Sequence, residues 1–424
     1  MSKYLFYIFI IFTMPVQAAV IQPTFFVEQT KSINPKITQA ATLLIQGKRS
    51  KAKKIFQQVL SQTPNDTAAI LGLADVAYLN KDNNKVKELL FRALEIAPKN
   101  AAVHTSLGRF HYIMQKKDAA LVHFKKAIEL DPQLAAPEIE IASLYLSGYK
   151  NPTAAAKHYQ RAIELDKNNI NIRYAYASIL SMIGTLTEAM FQIDTAIKIK
   201  SENPYAYQLK AIIYTKYEKY NLALNAIDKA IRLDSKNIQP YWIKAEILYT
   251  LDEQKLAFKV YNKILKISPN HALTLTKLGH LHQIKGDFNR AEKLYKRAIK
   301  HDPTTALAYN NLAFGVHADK ERKKEAITWA KKAVALQPNN PEFMDTLALV
   351  YLSNNEVEKT QRLLESLIKK FPSFLDGVYK LARIYDDKGN RDSAVYLYKS
   401  ILQKSKNNYK HSKEIEKRLI QLEK

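Results

Sequence analysis

The sequence predicts an all-α protein built as one continuous array of helices rather than as separate globular domains. The 424-residue chain is 47% hydrophobic, which is more than one compact core normally uses. It has only 10 glycines and 15 prolines, and no long Ser, Gly or Pro linker divides it. Prolines also recur at intervals of 34 or 35 residues, which indicates an internal repeat. They are Pro64, Pro98 and Pro132, and then Pro269, Pro303, Pro338 and Pro372.

Small residues stand at fixed offsets within each repeat. Residues 286–303 read GDFNRAEKLYKRAIKHDP. Gly279 and Ala291 predict where two antiparallel helices meet, because backbones approach closely only where side chains are small. Gly286 is expected to end the first helix in a left-handed conformation, and Asp287 is expected to cap the second.

This pattern resembles the tetratricopeptide repeat, whose signature has Leu-Gly or Leu-Ala, a small residue opening the second helix, an aromatic residue four positions later, and a terminal proline. One match is Leu278-Gly279, Ala291, Tyr295, Ala298 and Pro303, and another is Leu107-Gly108, Ala120, Phe124, Ala127 and Pro132. The resemblance implies a right-handed α-solenoid of about eleven helix-turn-helix units over residues 33–406. The repeats start near Ile33, Thr67, Ala101, Ala135, Ile170, Pro204, Ile238, Ala272, Ala306, Pro341 and Leu375.

Two repeats are one residue longer than the others. The fourth is expected to carry its extra residue in the loop between its helices, near Asn151-Pro152, and the ninth near Glu321-Arg322. Residues 407–424 are expected to form a C-terminal capping helix, because Ile415, Leu419 and Leu422 give it one apolar side. Glu414 stands four residues before Arg418, a spacing that favours an ion pair along this helix.

The N-terminus indicates export. Lys3 precedes an apolar run over residues 4–14, and Val16-Gln17-Ala18 forms a small-residue cleavage site, so residues 1–18 are interpreted as a signal peptide. An uncleaved anchor that continues to Ile21 is the alternative, although the apolar run is short for a bilayer. Residues 19–32 are interpreted as an extended lead-in. Heavy use of Lys, Asn and Ile is typical of bacteria, so we expect a periplasmic or cell-surface protein.

Composition excludes several classes of site. The chain has no cysteine, which removes disulfides, thiolate catalysis, thiolate metal sites and lipoprotein acylation. The net charge is +25, and behind a signal peptide this charge suggests an acidic polysaccharide, a lipid headgroup or an acidic protein rather than nucleic acid.

The resemblance also implies a binding surface. In this family the second, fifth, ninth and twelfth positions of each first helix face a ligand in a concave groove. Carried onto this chain, these partner-binding positions include Tyr78, Arg109, Tyr112, Tyr174, Tyr205, Gln208, Trp242, Glu246, Tyr249, His280, Gln283, Asn310, Phe314, His317, Tyr379 and Arg383. An aromatic, amide-bearing groove suits a peptide or a stacked sugar chain, while ordinary packing between repeats is the alternative for any one tyrosine.

Most lysines fall instead on second helices and loops. Lys125-Lys126, Lys293 and Lys331-Lys332 are examples, and they are expected on the outer side of the array. A solvated face is the simplest interpretation, with contact to a membrane or a polyanion as the alternative.

Motifs for catalysis and for two known family devices are missing. No first helix has the Lys and Asn pair that clamps a C-terminal carboxylate, and only Asn310-Asn311 approaches an asparagine ladder. The histidines form no H-E-x-x-H motif, and no glycine-rich loop could hold a phosphate. We therefore expect no enzyme activity, cofactor or metal.

The function expected from the sequence is a protein-protein scaffold in the bacterial envelope, in a complex for exopolysaccharide secretion, pilus assembly or outer-membrane assembly. Two alternatives stay open. The basic outer side could bind an acidic polymer or a membrane, or the chain could be the non-catalytic arm of a glycosyltransferase-type complex.

Overall fold

The computed structural model describes residues 34–423, and it confirms the all-α fold class. The expected signal peptide and most of the lead-in lie outside these described residues. Between residues 34 and 423 there are 23 α-helices and no strand. They are α1 (Pro35–Ile45), α2 (Arg49–Gln62), α3 (Thr67–Leu79), α4 (Asn83–Ile96), α5 (Ala101–Ile113), α6 (Lys117–Leu130), α7 (Ala135–Ser143), α8 (Pro152–Leu165), α9 (Ile170–Ile183), α10 (Leu186–Ile199), α11 (Pro204–Lys216), α12 (Tyr220–Leu233), α13 (Ile238–Thr250), α14 (Gln254–Ile267), α15 (Ala272–Ile284), α16 (Phe288–His301), α17 (Ala306–Gly315), α18 (Lys323–Leu336), α19 (Pro341–Ser353), α20 (Val357–Lys370), α21 (Leu375–Asp387), α22 (Arg391–Ser405) and α23 (Ser412–Leu422).

The helices alternate between a first and a second member of each repeat, as the eleven-repeat frame predicts. They belong to two compact units, an N-terminal unit that ends at Thr250 and a C-terminal unit that begins at Leu251. Within each unit, consecutive helices pack together, and first helices of neighbouring repeats also touch, as α9 touches α11 and α15 touches α17. Each repeat thus buries its apolar face against its neighbours, which is how a solenoid is stabilised.

Asparagine and aspartate side chains start many of the first helices. Asp66 accepts a hydrogen bond from the backbone N–H of Ala69, and Asn100 accepts from that of Ala102. Asn169, Asn203 and Asn340 cap later first helices in the same way. Because the first N–H groups of a helix have no partner within it, these caps fix where each repeat begins.

The predicted close approach of helices is confirmed in the eighth repeat. Tyr295, Ala291 and Ala298 of α16 are fully buried. A β-carbon added to Gly279 of α15 would lie 2.6 Å from a ring carbon of Tyr295, so only glycine fits there. Gly286 has a φ of +81° and ends α15.

The other predicted cap of this repeat is confirmed as well. The side chain of Asp287 accepts a hydrogen bond from the backbone N–H of Arg290 and so starts α16. The charge of the carboxylate also suits the positive end of the helix dipole.

The two longer repeats differ in how they accommodate the extra residue. In the fourth, the predicted loop insertion near Asn151-Pro152 is wrong, because Leu144–Gly148 form a π-helical turn that continues α7. A π turn widens the helix by one residue, so the insertion leaves the start of α8 unchanged. In the ninth, α17 stops early at Gly315, and residues 316–322 form a longer loop before α18.

The last helix packs on the final repeat as predicted, but the ion pair expected along it does not form. Ile415 and Leu419 of α23 are buried against α21 and α22, the two helices of the last repeat. Arg418 instead donates two hydrogen bonds to the carboxylate of Asp386 on α21, both of 2.7 Å. Glu414 accepts one of 2.7 Å from the hydroxyl of Tyr379. Both charged side chains therefore attach α23 to the preceding first helix.

None of the helices between residues 34 and 423 combines the length and the apolar character needed to span a bilayer.

We expect Gly279→Val to destabilise the protein by about 1–3 kcal/mol, because the added atoms would overpack the fully buried Tyr295 ring. The urea midpoint followed by circular dichroism measures this. Tyr295→Ala removes the obstacle, so the double variant should lose less stability than the sum of the two single variants. Strict additivity would contradict the contact between the two positions.

Candidate functional site

All of the predicted partner-binding residues lie on first helices or directly after them, but they are divided between the two units. Tyr78, Arg109, Tyr112, Tyr174, Tyr205, Gln208, Trp242, Glu246 and Tyr249 belong to the N-terminal unit. His280, Gln283, Asn310, Phe314, His317, Tyr379 and Arg383 belong to the C-terminal unit. We call the side of the first helices that carries these positions the first-helix surface, and we describe it for each unit by itself.

The densest aromatic group of the N-terminal unit lies on α9, α11 and α13, which are neighbouring first helices. The rings of Tyr174 and Tyr205 meet edge to face with their centroids 5.2 Å apart. Trp242 and Tyr249 are half-buried, and they lie seven residues apart on one side of α13. The group therefore combines fixed rings with partly accessible ones, as aromatic recognition sites do.

Polar groups accompany these rings. Gln208 of α11 and Glu246 of α13 are mostly buried on the same surface. Burial raises the pKa of Tyr205 to about 12, with a smaller contribution from Tyr174, and burial also raises the pKa of Tyr174 to about 12. Both phenols are therefore neutral near pH 7, when a phenol can still donate a hydrogen bond.

Two predicted residues nearer the N-terminus are occupied by contacts between repeats. The guanidinium of Arg109 donates hydrogen bonds of 2.9 and 2.7 Å to the carboxylate of Glu140 on α7, and both side chains are about nine-tenths buried. The hydroxyl of Tyr112 bonds to Ser147 in the π turn. Tyr78 is half-buried at the end of α3 and packs beside the core of its repeat. Arg109 and Tyr112 therefore hold neighbouring repeats together.

Phe314 is an exposed aromatic residue among the predicted residues of the C-terminal unit. Its side chain is 48% exposed at the end of α17 and stacks on His317 with a centroid distance of 5.4 Å. Asn310 is half-buried, while Gln283 accepts a hydrogen bond of 2.7 Å from the hydroxyl of Tyr295. His280 is half-buried as well, and burial lowers its pKa.

The final repeat offers less of its first-helix surface, because the C-terminal helix contacts it. The ring of Tyr379 stacks on His411 with a centroid distance of 4.4 Å and an interplanar angle of 2°. Arg383 remains exposed at the edge of this contact. Tyr379 therefore joins the last repeat to the C-terminal segment.

Lysines of the second helices are exposed, as the sequence predicts. Lys125 and Lys126 on α6, Lys293 on α16, and Lys331 and Lys332 on α18 all face solvent. Lys126 pairs with Glu129 at 2.9 Å, and the other four lysines present their charges to solvent.

A cluster of three histidines escaped the sequence interpretation, which considered neighbours along one helix. His104 and His111 of α5 lie seven residues apart on one side of that helix, and α6 brings His123 against both. The Nδ1 atoms of His104 and His123 are 3.2 Å apart, and the Nε2 atom of His104 donates to the Pro98 carbonyl oxygen at 2.9 Å. That donor fixes the neutral tautomer, so His104 Nδ1 accepts from His123.

The cluster favours neutral rings. The pKa of His123 is lowered to about 4 by burial, and then by the neighbouring His111 and His104. Burial and Lys116 lower the pKa of His111 in the same direction. Over residues 34–423, no group of three or more histidine, cysteine or acidic side chains is arranged to hold a metal ion.

Comparison with family models identifies the type of repeat in this chain. Three family models, each described as a tetratricopeptide repeat, match most of the chain. The first model matches residues 43–110 and 148–213, and the second matches residues 276–341 and 346–409. The third matches residues 101–134 and 238–271.

Curated relatives are distant and share only segments with this chain. The chain is 28% identical over 125 residues to interferon-induced protein with tetratricopeptide repeats 3 of Mus musculus, which is 29% of this chain and 31% of the relative. It is 28% identical over 90 residues to cellulose synthase operon protein C of Pseudomonas fluorescens (strain SBW25), which is 21% of this chain and 7% of the relative. The aligned part thus spans less than a third of either relative.

Similar solved structures include yeast Tom70, with a TM-score of 0.49 and 16% identity over 92% of this chain and 94% of that chain. The Cut9-Hcn1 hetero-tetramer of the APC/C has a chain with a TM-score of 0.49 and 14% identity over 97% of this chain and 98% of that chain.

We expect the stability of the protein to fall as the pH is lowered from about 6.5 to about 4, because the unfolded state binds a proton at His123 before the folded state does. For the half-buried ring the loss should be on the order of 1 kcal/mol at pH 5. Urea midpoints at pH 7 and pH 5 measure it. His123→Gln should flatten the pH dependence, whereas the exposed His301→Gln should keep it; equal profiles would contradict the role of the cluster.

Proposed function

The chain belongs to the tetratricopeptide repeat family, and from this premise we propose that it is a non-catalytic scaffold that binds a segment of another protein. The observation that carries the proposal is the aromatic and amide group on α9, α11 and α13 of the N-terminal unit. It joins the fixed pair of Tyr174 and Tyr205 to the partly accessible Trp242 and Tyr249. Rings of this kind supply contact area at low entropy cost, and they dominate binding energy at protein interfaces.

The chemistry of this surface favours a peptide segment over a highly charged ligand. Burial keeps Tyr174 and Tyr205 neutral near pH 7, because it raises the pKa of both phenols. The mostly buried Gln208 adds an amide, which can both donate and accept a hydrogen bond from the backbone of such a segment. The predicted arginine on the same side of the unit is already held by Glu140.

We assign the scaffold to the bacterial cell envelope as part of the same proposal. The order of Lys3, an apolar run and a small-residue site at Ala18 supports export to the periplasm or cell surface. The similarity of a 90-residue segment to cellulose synthase operon protein C of Pseudomonas fluorescens supports a complex that handles an exopolysaccharide, and we keep pilus and outer-membrane assembly as alternatives within this proposal.

A second candidate function rests on the exposed lysines of the second helices, such as Lys126 and Lys332. Together with the net charge of +25, they favour binding of an acidic polysaccharide or an anionic membrane surface. Such binding would weaken steeply with salt, whereas aromatic binding would not.

We expect the double variant Trp242→Ala with Tyr249→Ala to weaken partner binding by about 2 kcal/mol or more, because half-buried aromatic residues supply much of the energy of such interfaces. Affinity capture from an envelope extract at low and at high salt, followed by titration of the captured protein, measures this. Phe314→Ala tests the C-terminal unit separately.

Phe191→Ala is the matched control, because Phe191 is 60% exposed on the second helix α10. Circular dichroism must show that all variants keep their helical content. Capture that persists in the double variant but is lost in high salt would contradict the aromatic surface and support the lysines.

A further inference from the structure

A groove of about 620 Å³ lies between α20 and α22, the second helices of the last two repeats, with α21 beneath it. Its floor includes the buried Leu381 and Leu397. The volume is typical of sites that accept a small ligand or an inserted side chain. The groove lies in the C-terminal unit and shares no residue with the aromatic group proposed above, so it does not depend on that proposal.

Two tyrosines of the groove differ in how firmly they are held. The hydroxyl of Tyr385 on α21 donates a hydrogen bond of 2.8 Å to Glu365 Oε1, which fixes that ring. Tyr396 on α22 is 73% exposed, the largest value among the exposed large hydrophobic side chains of residues 34–423. An aromatic ring that packs so little on its own chain is available to cover a bound group.

The charges of the groove favour a cation. Glu365 Oε1 accepts both the Tyr385 hydroxyl and a 2.8 Å hydrogen bond from Gln361, and Asp392 lies nearby in the first turn of α22. In the described part of the chain neither carboxylate forms an ion pair, and Lys369 is the single basic residue that lines the groove. This lining has a net negative charge although the whole chain carries +25.

We propose that this groove binds an arginine side chain of a partner protein. The apolar stem of the arginine lies over Leu381 and Leu397, and the planar guanidinium stacks on Tyr396 while it pairs with Glu365 and Asp392. Arginine fits better than lysine because its guanidinium both stacks on aromatic faces and pairs with a carboxylate through two parallel hydrogen bonds.

The test titrates the purified protein, carrying ring-¹³C-labelled tyrosine, with N-acetylarginine methylamide. Tyr396→Phe identifies the Tyr396 signal among the 25 tyrosines. We expect a saturable shift of that signal, and binding at least about tenfold weaker for the uncharged citrulline analogue, because a charge-assisted hydrogen bond contributes about 1.5–3 kcal/mol. The lysine analogue should also bind more weakly.

Three variants complete the experiment. Tyr396→Ala, followed through the signal of Tyr385, which also lines the groove, should weaken binding of the arginine analogue, and Glu365→Gln with Asp392→Asn should reduce the preference for arginine over citrulline at least about tenfold. The glutamine at position 365 can still accept the Tyr385 hydroxyl, so the fold should be kept. Glu416→Gln removes one exposed carboxylate of α23 outside the groove and should change nothing.

Equal binding of the arginine and citrulline analogues would overturn the proposal. So would tighter binding of the lysine analogue, the absence of a saturable shift, or arginine binding that is undiminished in Tyr396→Ala.

Discussion

The close approach of two helices at small residues is the constraint on which the rest of this structure depends. Where Gly279 faces the fully buried ring of Tyr295, no β-carbon can be added without a clash. Fully buried alanines extend the same contact along α16. Where a second helix is anchored to its first helix in this way, as at Gly108 and Phe124, the other side of the first helix remains for contacts with the neighbouring repeats.

Ion pairs between the first helices of neighbouring repeats join residues that lie about one repeat length apart in the sequence. Arg109 pairs with Glu140, and Lys380 pairs with Asp345 at 2.6 Å. At the C-terminus, α23 supplies the same kind of contact through Arg418 and Asp386. The C-terminal helix α23 therefore supplies partners for polar groups of α21, the first helix of the last repeat, which would otherwise need a further repeat. It also covers apolar surface of the last repeat.

First and second helices differ in the side chains that they expose, so the array has two surfaces of different chemistry. First helices carry tyrosine, tryptophan and amide groups, while exposed lysines accumulate on second helices. The groove beside Tyr396 departs from this rule, because it lies between second helices and yet is aromatic and acidic.

The sequence by itself determined the fold class, the number of helix pairs and the small-residue contacts, because each depends on spacings within about 34 residues. Caps such as Asp287 and the left-handed Gly286 were also predictable, since they depend on local backbone geometry. The membership of a residue in the first-helix surface follows from its position in the repeat.

Tertiary structure decided what each of those surface residues does. Arg109 and Tyr379 occupy ligand-facing positions in the repeat, yet packing joins Arg109 to Glu140 and Tyr379 to the C-terminal cap. The π turn at Leu144–Gly148 and the cluster of His104, His111 and His123 also required coordinates. The repeat pattern determines the helix and the helix face on which a residue lies. Its contacts depend on side chains of other repeats, and the pattern does not specify those side chains.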